Sequence, residues 1–132
     1  MPDLNYLAVV VAAVAAFVSA FVYYAVFARQ YQAVSPAARE SAQARPEPWK
    51  LGVQFLTGLV LTLVVAGFAA KLEITTVGGG VLLALGLWVG FPATLWVGAM
   101  MWEKSPWRLA ALHAGDWLLK LLVVAVIVSV WR

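Results

Sequence analysis

The chain has 132 residues, 64% of them hydrophobic and 11% charged, with a formal net charge of +3 and no cysteine. Soluble domains run near half apolar and a quarter charged, so this composition excludes an ordinary water-soluble globule. Without cysteine there is no disulfide, thiolate metal site or cysteine nucleophile. The basic residues are scattered around apolar runs, a pattern of membrane topology and not of a nucleic-acid surface.

A bilayer crossing takes about 20 apolar residues at 1.5 Å each. Four windows satisfy this: residues 4–28, 51–70, 77–101 and 109–131. They are continuous and lack strand alternation, which argues against a β-barrel. The expected fold is all-α, one membrane domain of four transmembrane helices in an antiparallel bundle.

The first window could be read as a leader, since Val18-Ser19-Ala20 resembles a cleavage site. However, Met1-Pro2-Asp3 supplies no basic region and the apolar run is too long, so it is read as a retained span. Ala8, Ala12, Ala16 and Ala20 recur every four residues and form a ridge over which another helix can approach closely. Tyr23 and Tyr24 fall near its end, where aromatic rings with polar tips anchor at headgroups.

Residues 29–50 are the only substantial polar connection. Ser35-Pro36 reads as a cap followed by a first-turn proline. A short helix over 37–44 would follow, stopped by Pro46 and Pro48, with Arg39, Glu40 and Arg45 on lipid headgroups or in solvent. The second span holds Gln54, Thr57, Gly58 and Thr62, side chains of the kind that give interhelical bonds of about 0.6–2 kcal/mol each.

Gly78-Gly79-Gly80 is expected to open the third span as a flexible start. Within it Leu87-Trp88-Val89-Gly90 recurs as Leu95-Trp96-Val97-Gly98. Gly86, Gly90, Thr94 and Gly98 make a second small-residue ridge, and oligomers are expected to form through the two ridges. Pro92 should kink the helix by removing one hydrogen bond, and such breaks can also present carbonyls to a substrate. A tight turn at residues 102–108, with Glu103-Lys104-Ser105-Pro106, makes the last two spans a hairpin.

The fourth span carries His113, Asp116 and Lys120. Counting from an interfacial Trp107, they lie about 9, 13 and 20 Å deep. Spacings of three, four and seven residues put all three on one helical face, where His113 can donate to Asp116 and Asp116 can pair with Lys120. Ionisable groups at that depth normally face the bundle interior or a cavity. The trio is therefore either a self-neutralised structural pair or a polar site for a small solute, a lipid or a proton. Gln54, Thr57, Thr62, Tyr23 and Tyr24 are candidates to complete it.

No Gly-rich phosphate loop, HExxH or Gly-x-Ser-x-Gly pattern occurs, so no enzymatic activity is expected. A single His would need a second axial ligand to hold haem, and no cofactor or metal is expected. Six Lys or Arg flank the first and third connections (Arg29, Arg39, Arg45, Lys50, Lys104, Arg108), against Lys71 and Arg132 on the other face. The positive-inside bias then puts loops 29–50 and 102–108 in the cytoplasm and both termini outside. The expected setting is a bacterial plasma (inner) membrane, with the lipid bilayer and copies of the chain or other membrane proteins as partners.

Asn5-Tyr6-Leu7-Ala8-Val9, Phe21, Tyr23-Tyr24 and Gly78–Gly80 occur here in one order and spacing. Trp88-Val89-Gly90-Phe91, Trp102-Glu103 before Pro106, His113-Ala114-Gly115 and Trp131 complete that order. The set resembles the small four-span membrane family catalogued as domain of unknown function 1761, most closely from Val77 to Trp131. The resemblance implies four helices with the polar connection after the first, and no assigned activity. Where the family has Asn-Ala-Gly and then an aromatic, this chain has His113-Ala114-Gly115-Asp116-Trp117, and its first loop is short. A role built on the Asp116–Lys120 pair is thus peculiar to this branch. Taken together, the residues suggest an oligomeric accessory or scaffolding component, or alternatively a solute-, lipid- or proton-handling protein.

Overall fold

The computed structural model describes residues 4–45 and 47–131. Met1-Pro2-Asp3, Pro46 and Arg132, which entered the readings of the leader, the loop-helix stop and the charge balance, lie outside the described residues. The described chain is helical, with no strand among its residues. Four helical stretches are long and apolar enough to cross a membrane: Tyr6–Val26, Pro48–Lys71, Val77–Trp102 and Trp107–Val130.

Helix α1 (Tyr6–Val26) starts where the Asn5 side chain accepts from the Ala8 N–H at 3.1 Å. Where sequence suggested only a loop after it, the chain turns once at Phe27 and resumes as α2 (Ala28–Val34). Helix α3 (Pro36–Gln43) follows; the Ser35 hydroxyl accepts from Ala38 N–H at 3.1 Å, with Pro36 in the first turn. A proline is harmless there because the first-turn N–H groups have no helical partner. The second span, α4 (Pro48–Lys71), uses Pro48 the same way.

The glycine triplet is not a flexible start. Thr76 caps α5 (Val77–Trp88), its hydroxyl accepting from the Gly79 N–H at 3.0 Å, so Gly78–Gly80 are already helical. Gly80 is buried because α7 (Trp107–Val130) passes so near. A Cβ there would lie 3.0 Å from the Ala125 carbonyl oxygen and 3.1 Å from the Val126 Cα. Gly86, Gly90 and Gly98, by contrast, have nothing within 4 Å of an added Cβ, so that ridge makes no close contact inside the chain.

Pro92 does break the α-helical pattern. The break takes the form of a π-helical turn, Val89–Ala93, before α6 (Thr94–Trp102) continues the span. The wider turn accommodates a ring that lacks an N–H. The Thr94 hydroxyl lies 2.9 Å from both the Gly90 and Phe91 carbonyl oxygens, so these are covered locally.

Helix α7 is the centre of the bundle, packing on α5, α1 and α4, while α4 also packs on α1. The core is built largely of alanine and valine, including Val9, Ala12 and Ala16 of α1, Val65 and Ala69 of α4, and Val124 and Ala125 of α7. Small side chains let the backbones approach, which drives helix association in lipid. Ala8, Ala12 and Ala16 are thereby buried within the chain. This corrects the expectation that the alanine ridge joins separate copies: that face is already occupied. Large apolar side chains such as Leu7, Val18, Phe21 and Leu82 point outward, as a lipid solvent requires.

Two helices do not meet closely. Between α4 and the third span runs an open groove of about 740 Å³, walled by Leu61, Val64 and Phe68 on one side and Leu87, Phe91 and Leu95 on the other. Trp117 and Leu121 of α7 form its floor.

Gly80→Val should force the α5–α7 backbones apart and destabilise the protein by about 1–3 kcal/mol. Gly86→Ala, with open space before it inside a helix, should not lower the thermal midpoint in detergent, and comparing the two melting curves checks the assignment.

Candidate functional site

The tightly packed core lies towards the end of the bundle formed by the start of α1 and the end of α7. Towards the other end the helices part, and a cavity of about 530 Å³ opens between α1, α2, α4 and α7. Its polar lining comes from Tyr24, Tyr31, Gln54, Thr57, His113, Asp116 and Lys120.

Asp116 and Lys120 are only 5% and 9% exposed, although no membrane needs to be drawn to hide them. The Lys120 Nζ lies 3.6 Å from Asp116 Oδ2, one helical turn away. That is an ion pair but not a close hydrogen bond. The same ammonium sits 4.5 Å from the centre of the Trp117 ring, whose face offers a second electrostatic contact.

Tyr24 reaches in from α1. Its hydroxyl donates to Asp116 Oδ2 at 3.2 Å and lies 2.8 Å from His113 Nδ1. With the hydroxyl hydrogen given to Asp116, His113 Nδ1–H donates to the Tyr24 oxygen. His113 and Asp116 are thus joined through Tyr24, where the spacing had suggested a direct bond. The imidazole is also boxed by rings: Trp96 of α6 stacks on it at 4.9 Å and 14°, and Tyr31 of α2 meets it edge-on at 5.4 Å.

The remaining polar capacity is unspent. Asp116 Oδ1 and Trp96 Nε1 are buried without a hydrogen-bond partner among the described residues. Buried polar groups are nearly always bonded, so an orphaned carboxylate oxygen beside a cavity marks a place for a donor. The network links three exchangeable groups, His113, Tyr24 and Asp116, and leaves a charged donor and an anionic acceptor side by side.

Of the residues named from sequence, Gln54 and Thr57 line this cavity; the Thr57 hydroxyl bonds back to the Gln54 carbonyl at 2.9 Å. Thr62 does not join it. It is fully buried and donates to the Gly58 carbonyl at 2.8 Å. Tyr23 does not line this cavity and donates instead to the Leu112 carbonyl at 2.6 Å. Ala20 lines the cavity wall, unlike the other three alanines of its ridge.

Sequence reasoning missed Tyr31, Trp96 and Trp117. It also missed why His113-Ala114-Gly115 has its form. The Ala114 carbonyl accepts from Trp88 Nε1 at 2.7 Å. A Cβ on Gly115 would come 2.5 Å from the Tyr23 hydroxyl. Two helices, α1 and α5, therefore lock onto one turn of α7.

An all-α bundle of four membrane-spanning helices around a polar cavity defines a small multi-pass membrane protein. Within that class, the chain belongs to the family described as Protein of unknown function (DUF1761), whose model matches residues 7–129. No curated protein and no solved structure matches it. Tyr23-Tyr24, Trp88 and His113-Ala114-Gly115, among the segments that carried the resemblance, meet in space at that turn of α7.

Lys120→Met leaves a buried carboxylate unpaired and should cost about 3–5 kcal/mol, the penalty of breaking a buried pair from one side. Adding Asp116→Asn should restore most of that stability. Thermal unfolding of the two variants in one detergent reads the difference; no recovery in the double variant would show that the charges do not act as a pair.

Proposed function

We propose that this chain is a non-enzymatic membrane protein that binds the polar part of a small molecule or lipid in the cavity beside Asp116 and Lys120. The observation that carries the reading is the unspent Asp116 Oδ1, buried next to a cavity whose polar groups come from four helices. A purely structural pair would close on itself. Here the carboxylate receives Tyr24 on one oxygen and leaves the other buried without a partner among the described residues, and intramembrane ionisable groups of this sort serve binding or transfer by default.

A second reading, an oligomeric accessory or scaffolding component, draws support from one feature. Gly86, Gly90 and Gly98 offer a small-residue face with open space before it, the kind of surface over which membrane helices associate. The two readings are compatible, because that ridge and the cavity use different residues.

The setting is a bacterial plasma membrane, with loops 29–50 and 102–108 cytoplasmic and both termini outside. The Lys and Arg excess on those two connections supports that orientation. A carboxyl-terminal tag should be labelled by a membrane-impermeant reagent in intact spheroplasts, and labelling only after lysis would reverse the orientation.

Native mass spectrometry of the protein carried from its membrane into lipid discs tests the binding role. The expected result is one non-protein adduct per chain, lost in the Asp116→Asn, Lys120→Met double variant. An adduct retained by that variant, or none on the unaltered chain, would remove the reading.

A further inference from the structure

The polar cavity and the apolar groove are neighbours. Leu61 of α4 and Trp117 of α7 line both. Resting on the binding role above, we infer that the ligand is a single-chain amphiphile with an uncharged, hydroxyl-bearing head. The head occupies the cavity at Asp116 and Lys120, and the hydrocarbon chain runs past Leu61 and Trp117 into the groove.

Depth along two helices supports the order. Counted from the start of α4 at Pro48, Gln54 and Thr57 lie about 9 and 14 Å along the axis, whereas Leu61 and Phe68 lie about 20 and 30 Å along it. In α7, counted from Trp107, His113 and Asp116 come first, Lys120 next and Leu121 about 21 Å along. Both helices therefore begin their polar groups on the side of the membrane that borders the 29–50 loop, with Lys120 reaching about mid-membrane. Both put apolar groups beyond them. A lipid-like molecule has the same sequence of head and tail.

The chemistry of the head follows from charge. Asp116 already offsets Lys120, so an anionic head would gain the ammonium only by facing the carboxylate as well. A hydroxyl can serve both: it donates to the Asp116 carboxylate, one oxygen of which is buried without a partner among the described residues, and accepts from Lys120. Among the described residues the Lys120 ammonium makes no hydrogen bond, its contacts being the 3.6 Å ion pair and the Trp117 ring. Gln54 and Tyr31 add further polar atoms on the cavity wall. The groove offers the chain a long apolar channel, with a volume in the range of ligand pockets of about 300–1,000 Å³.

The test is a native mass spectrometry titration of the detergent-purified protein with monoolein, glycerol and oleyl phosphate. The unaltered chain should take up one monoolein saturably, no glycerol, and oleyl phosphate at least about tenfold more weakly. Val64→Trp and Leu95→Trp each fill the groove from an exposed position away from the polar groups, and each should weaken monoolein at least about tenfold.

No saturable monoolein adduct, or tighter binding of oleyl phosphate, overturns the inference on the unaltered protein without any variant. Undiminished monoolein binding in both groove variants overturns the chain's path. If the Asp116→Asn, Lys120→Met variant still loses the adduct in that case, the polar cavity stands alone as the binding role. Monoolein binding indifferent to the charge pair overturns the binding role itself.

Discussion

A carboxylate and an ammonium on one helix cannot face hydrocarbon, and much of this bundle follows from hiding them. Each charge carries a desolvation cost of several kilocalories unless paired and enclosed. Helix α7 therefore takes the centre, with α1, α4 and α5 against it. Tyr24 and Trp117 complete the enclosure from above and beside the pair. The other spans are lipid-facing on most of their surface and have no comparable demand.

The bundle divides along its length. At one end, alanine, valine and Gly80 let backbones close to contact distance. At the other, tyrosines, tryptophans and the polar residues of α4 hold the helices apart around a cavity. Packing of small residues gives a rigid clasp, and the aromatic end becomes a chamber because its walls are too large to collapse. The site thus rests on a well-packed half that does not need a ligand to hold its shape.

How far the sequence revealed this depended on the range of the interaction. Length and hydropathy identify spans because lipid imposes them on each helix separately, and the capping of α3 by Ser35 is equally local. The ion pair could be seen because Asp116 and Lys120 sit one turn apart on one helix. Tyr31 and Trp96 could not, since each approaches His113 from another helix and nothing in their local pattern marks that meeting. Thr62 and Tyr23 were named on chemistry alone, and a rotation about the helix axis put them elsewhere. Gly80 was read as flexible when its role is to be small, a distinction that depends on α7.

The π turn at Val89–Ala93 alters the phase of the third span. Trp88 and Trp96 are eight residues apart, which in an unbroken α-helix would leave them about 80° apart around the axis. A π turn absorbs one extra residue, so the two behave as if seven apart and differ by only about 20°. Both indoles consequently address α7, one at the Ala114 carbonyl and the other across His113. The eight-residue repeat becomes a same-face repeat only because Pro92 unwinds the helix between its two copies, so the proline acts as a spacer that tunes angular register.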